Sequence, residues 1–128
     1  MPIQVFQDDE NEMLIRSVFT DDWDWLAFDA ATRQIISLAS SVDFPVDLIT
    51  DLSNSSTFPP GEALPYILRL RKNRPRNLRS IIVVNPGAEV TSYITMANRL
   101  DKTAHQLSYR VKTLEEAYQI IENRSQAD

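Results

Sequence analysis

Four consecutive β-branched residues, Ile81 to Val84 in "RSIIVVN", constrain this chain more than any other feature. An uninterrupted apolar run of this kind is expected for a strand covered on both faces. Strands of that type occur in largely parallel sheets, which need helical crossovers between neighbours. Other strand-like runs surround it. "IQVFQ" (3–7) and "MLIRSVF" (13–19) flank the polar "DDENE" and read as a β-hairpin, although Leu14, Ile15 and Val18 also fit a helical face. "VDLITDL" follows Pro45 as a further strand, ending near Asp51. In "HQLSYRV" only Leu107, Tyr109 and Val111 alternate, as on an edge strand.

The segments between these runs carry helical periodicity. Phe28, Ala31, Ile35, Leu38 and Val42 form one continuous stripe in "TDDWDWLAFDAATRQIISLASSV", with Asp21 as the expected cap and Asp22 and Asp24 at the positive dipole end. Trp23 and Trp25 lie two positions apart, so a helix through both sends them to different faces, one in the core and one covering the hairpin at the rim. "EALPYILRLRKN" groups Leu64, Ile67, Leu68 and Arg71, tolerates Pro65 in its first turn and stops at Pro75. Val90, Tyr93, Ala97 and Leu100 form the stripe of the next helix. "TLEEAYQII" opens with a capping box from Thr113 to Glu116 and offers Leu114, Ala117, Tyr118 and Ile121 to the core. The expected architecture is an α/β fold in the order β-β-α-β-α-β-α-β-α, with a mixed, mostly parallel sheet and flanking helices. It forms one domain over residues 1–124, with 125–128 as a frayed tail.

Charge is distributed unevenly. Residues 1–62 hold 12 acids and two bases, whereas residues 63–88 hold six bases and no acid: Arg69, Arg71, Lys72, Arg74, Arg76 and Arg79. Such a cluster either solvates one helix and its loop or presents a basic interaction patch to an anionic partner. At the carboxyl ends of the strands, where open α/β sheets bind ligands, stand Asp51, Ser53, Asn54 and Ser55, and then Asn85, Pro86 and Gly87. These residues are the candidate binding rim. Asn-Pro-Gly and the hydroxyl cluster "SNSST" also have an ordinary reading as turns.

Several chemistries lack their residues. With two glycines, Gly61 and Gly87, neither a phosphate-binding glycine loop nor a dinucleotide fingerprint can be written. There is no cysteine, and His105 is the single histidine, so a thiolate or histidine metal cage has nothing to build on. No metal, no cofactor and no catalytic residue is expected. The first residues lack a signal-peptide pattern, and no apolar stretch approaches the roughly 20 residues that span a bilayer. A cytoplasmic location is the expectation, without a membrane or nucleic-acid partner.

The element order, together with "FTDDWDWLAF" leading into a helix and "VDLITDLS", resembles the STAS domain, the fold of bacterial anti-sigma-factor antagonists. The resemblance covers most of the chain. It implies a non-catalytic bacterial regulatory module with a protein partner. In that family the strand ending in Asp and Leu leads to an Asp-Ser pair that carries the phosphoacceptor. Aligning Asp51 and Leu52 with it brings Pro59 and Pro60 to that pair, and leaves Ser53, Ser55 and Ser56 only nearby. A related lipid-binding architecture implies a second reading, a small apolar ligand between sheet and helices.

A third reading is a response-regulator receiver domain. "IQVFQDD" is similar to a receiver strand ending in a magnesium-binding pair, Asp8 and Asp9, with Asp51 as phosphoacceptor and Lys112 as the partner lysine. That reading needs residues 13–19 to be helical. In the interaction reading, the partner meets loop 51–60 and the basic helix, with Phe58 and Tyr66 as apolar anchors. A symmetric homodimer is allowed, because acidic and basic surfaces on one chain complement each other.

Overall fold

Ile81 to Val84 are buried on both faces of an interior strand, β4 (Leu78–Val84), in a computed structural model that describes residues 2–8, 11–20, 23–55, 59–100 and 108–127, with side chains to Asn123. Asp9, Asp21, Asp22, Ser56, Thr57, Phe58, His105 and Leu107 lie outside the described residues. The sheet has five strands in sequential order: β1 (Ile3–Gln7), β2 (Leu14–Thr20), β3 (Val46–Asn54), β4 and β5 (Ser108–Val111). β1 is antiparallel to β2, and β2 to β5 run parallel. Residues 13–19 are therefore not a helix: Ile3 pairs with Phe19 and Gln7 with Ile15 across the hairpin.

Both periods fitted that segment, and pairing decided between them. Ile15, Ser17 and Phe19 face one side of the sheet, while Leu14 faces the other. Successive parallel strands step in one direction, so right-handed crossovers place the three connecting helices on one face. These are α1 (Trp25–Ser40), α2 (Leu64–Asn73) and α3 (Gly87–Leu100). They close the larger core over Ile15, Phe19, Val46, Leu48, Leu78 and Ile81. The last helix, α4 (Leu114–Ala127), covers the opposite face, where Ala117 and Ile121 pack on Leu14, Ile49, Ile82 and Val84. The capping box forms as expected, with the Glu116 amide donating to Thr113 Oγ1 at 3.2 Å. The backbone of α4 continues through residues 125–127, the segment set apart as a tail.

The start of α1 departs from expectation. Its cap is Asp24, whose Oδ1 accepts from the Ala27 amide at 2.7 Å. Trp23 thus precedes the helix, and the two-faces argument does not apply to it. Both tryptophans are buried, in edge contact at 5.1 Å, and Trp23 reaches Phe28 at 6.3 Å. A large apolar residue just before the cap packing on the fourth helical residue fixes the angle at which the chain enters. Farther along α1, Ala39 rather than Leu38 takes the core position.

One polar side chain ties the connections together at the amino end of the strands. Asn77 Nδ2 donates to the carbonyls of Ala39, Val42 and Phe44 at 2.7, 3.1 and 3.0 Å. It satisfies the carbonyls released where α1 ends and holds them against the start of β4.

Candidate functional site

The two groups of candidate residues lie at opposite ends of the sheet. α2 begins at the carboxyl edge and, at about 1.5 Å per residue, carries its last turn about 15 Å away to the amino edge. Its bases are concentrated in that last turn and in the loop to β4. A partner that spans both loop 51–60 and the bases would therefore have to reach along the whole sheet.

At the carboxyl edge the polar residues serve the turn. β3 does not stop at Asp51 but runs to Asn54, with Thr20 paired to Asn54 beyond an irregularity in the register. Asp51 is buried, and its Oδ1 accepts from the Ser53 amide at 2.9 Å, a local carboxylate–amide closure. Ser55 Oγ accepts from Trp23 Nε1 at 2.8 Å. Ser53 and Asn54 are exposed. Asn85 is exposed at φ +52°, and its amide donates to the Val111 carbonyl at 2.8 Å. Gly87 opens α3 at φ +70°, where only glycine is at ease. Farther on, Pro59 is buried, and Gly61 stands at φ +109°, where a Cβ would lie 3.5 Å from Trp25 Cδ1. Part of the loop expected to face a partner thus covers the core.

Among the described residues the aspartyl-phosphate geometry is not assembled. The Asp8 amide donates to the Leu14 carbonyl at the start of β2, whereas Asp51 pairs with Val18 four residues along that strand. At about 3.3 Å per residue this alone separates the two by roughly 13 Å, with β2 lying between their strands. Asp8 instead accepts from the Tyr118 hydroxyl at 3.0 Å. Among the described residues no group of three or more histidines, cysteines or carboxylates is placed to hold a metal ion.

The space between the sheet and α1–α3 is small. A cavity of about 90 Å³ lies among Phe19, Trp25, Thr50, Leu52, Ile81 and Ile94. Pockets that hold small molecules are typically about 300–1,000 Å³. Tyr66, expected as an outward anchor, is stacked on Trp25 at 5.5 Å, with the Arg69 guanidinium 5.3 Å from its ring centre.

A broad concave feature lies at the amino edge. An open groove of about 960 Å³ runs between the end of α2, the end of α3 and the start of β4, bordered by Leu68, Leu100, Pro45 and Leu78. Five of the six candidate bases line it: Arg71, Lys72, Arg74, Arg76 and Arg79. They are not equivalent. Arg71 is buried, donating to Asn98 Oδ1 at 2.6 Å and Ser108 Oγ at 3.3 Å, so it joins α2 to α3 and β5 and belongs to the floor. Arg79 is the extra residue of β4 where the register with β3 shifts, and it meets the buried Asp47 carboxylate with Nη2 at 2.8 Å and Nε at 3.3 Å. Arg74 is half-buried and donates to the Arg71 carbonyl. Lys72 and Arg76 are exposed, and no carboxylate is paired with either among the described residues. The sixth base, Arg69, points away and bridges to Asp29 of α1 at 3.0 Å.

The sequence made the charge cluster visible but not its sorting into floor, structural pair and outward cations. Arg71 gave the one usable signal, since it shares a helical stripe with Leu64, Ile67 and Leu68. No helix among the described residues is long and apolar enough to cross a membrane. A scan against protein-family models and a search of curated proteins each returned no match.

Proposed function

We propose that this chain is a non-catalytic regulatory interaction module of the STAS type, bacterial and cytoplasmic, whose basic groove takes an acidic segment of a protein partner. The observation that carries the reading is the groove, in which outward cations stand on a floor held by a buried arginine and a half-buried ion pair. Arginine forks and a flexible lysine match carboxylates in an extended acidic segment, and Leu68 and Leu100 offer apolar contact beside them. The element order and the paired first hairpin fit the STAS expectation. Two features weigh against nucleic acid. The described groove residues include no aromatic ring for base stacking, and the chain carries a net charge of −5.

The test is fluorescence anisotropy of a labelled glutamate-rich peptide titrated with the protein. Replacing Lys72, Arg74 and Arg76 by serine is expected to weaken binding about tenfold, since exposed ion pairs contribute about 0.5 kcal/mol each. Arg71 is left in place, because its loss would disturb the floor. Affinity of the unaltered chain is expected to fall as salt rises, because exposed charges are screened. Equal affinity for both proteins would refute the reading.

A further inference from the structure

The two edges of the sheet are guarded unequally. β5 is four residues long and carries Arg110, with Lys112 directly after it. Shortness and added bases are ordinary protections against pairing with a stray strand. β1, "IQVFQ", holds no charged residue, no proline and no irregularity of register. The ladder with β2 fixes which of its groups face outward. The Thr20 amide donates to the Pro2 carbonyl and the Asp8 amide to the Leu14 carbonyl, so the even-numbered residues of β1 exchange bonds with β2. The N–H and C=O groups of Ile3, Val5 and Gln7 therefore point away from β2, and among the described residues no strand pairs with them.

These outward residues are symmetric about Val5. From this we infer that β1 pairs antiparallel with β1 of a second copy, about a twofold axis at Val5, joining the two sheets into one. Val5 then meets Val5 and Ile3 meets Gln7, so every outward N–H and C=O of each β1 is bonded in a single register. In the intervening pairs Gln4 of one copy lies opposite Phe6 of the other, at the spacing where side chains approach most closely. Phe6 is 37% exposed in the single chain and is partly covered there. The helical layer fits the same axis. α1 lies over β1 and β2, about one strand spacing from the seam, so two copies of α1 run about 10 Å apart, the ordinary separation of packed helices. Toward the seam α1 turns the flank opposite Asp29, which bridges to α2. That flank is Ala27, Ala30, Gln34 and Leu38, none of them charged, and Leu38 borders one small cleft with Gln7 of β1. A strip about 17 Å long and roughly 20 Å deep covers on the order of 350 Å² of each copy in projection, and more in accessible area. This lies near the total of about 1,000 Å² at which specific interfaces begin, so a dimer of micromolar strength is expected. β1 lies at the sheet edge away from β4, and the seam leaves both basic grooves open.

Sedimentation equilibrium of the full chain at about 100 µM tests the inference, with a dimer expected. Because the seam is uncharged, its strength is expected to change less than about threefold between about 0.05 and 0.5 M salt. Gln7→Pro removes an outward N–H while sparing the ladder with β2, and is expected to weaken association about tenfold or more. Circular dichroism verifies that this variant is folded. The register is read by oxidative cross-linking, for which the chain offers no cysteine of its own. An equal mixture of Gln4→Cys and Phe6→Cys is expected to form a disulfide-linked dimer, since those positions face each other across the axis. Either variant alone is expected to cross-link several-fold less, because like positions stand diagonally apart. A chain that stays monomeric at this concentration overturns the inference. So does a dimer indifferent to Gln7→Pro, one that weakens tenfold with salt, or one in which the mixture cross-links no better than its parts.

Discussion

Replacing Arg79 by methionine is expected to lower stability by about 3 kcal/mol, toward the lower end of the range for breaking a buried ion pair. Asp47 is 1% exposed, and its two oxygens take Arg79 Nε and Nη2 while Oδ1 also accepts from Ser80 Oγ. Removing the guanidinium leaves a carboxylate desolvated without the cation that compensates it. About a third of the arginine side chain is solvent-exposed, which moderates the loss. Replacing both partners, Asp47→Leu with Arg79→Met, is expected to recover most of that stability, since two apolar groups need no compensation. The double-mutant cycle in urea measures the coupling directly. A single substitution that costs less than about 0.5 kcal/mol would show that the pair is structurally idle.

Leu48→Ala is expected to cost about 3–4 kcal/mol, lost transfer energy plus the cavity left behind. Leu48 is fully buried on the central strand, flanked in register by Ile15 and Ile81 on the face that α1 and α2 close. For a chain of this size the midpoint of thermal unfolding should fall by roughly 10 °C or more. Leu26→Ala is the control. Leu26 is 76% exposed on α1, and its loss should change stability by less than about 0.5 kcal/mol. Comparable losses at both positions would mean that the sheet face is not the site of the core.

The fold was largely legible because most of its elements announce themselves through period. Ile81–Val84 could be placed nowhere but inside a sheet, and the Thr113–Glu116 box marked the start of α4. Ambiguity arose where two physical patterns overlap. Residues 14–19 satisfy both helical and strand periods, and only pairing with Ile3–Gln7 selects the strand. Trp23 was misplaced because Asp24 takes the cap instead of Asp21, and a shift of three residues moves a side chain from the helix to the segment before it.

The candidate site was less legible, since charge in sequence says little about contact in space. Arg69, Arg71 and Arg79 are committed to Asp29, to Asn98 and Ser108, and to Asp47, partners 27 to 40 residues distant along the chain. The position of Asp51 at a strand end suggested chemistry. Its bond to the Ser53 amide two residues on is the short-range alternative available to any aspartate in a turn. That the bases gather at the opposite edge followed from the direction of α2, a consequence of the crossover rather than of any motif.

The most direct measurement is a nitrogen–proton correlation spectrum of the labelled protein titrated with the glutamate-rich peptide at low salt. Amide shifts are expected at Lys72, Arg74, Arg76 and Asn77, with those of Asp51 to Ser55 and of Asn85 unmoved. Perturbation confined to the Asp51–Ser55 and Asn85 edge, or none at all, would show that the basic groove is not where this protein meets its partner.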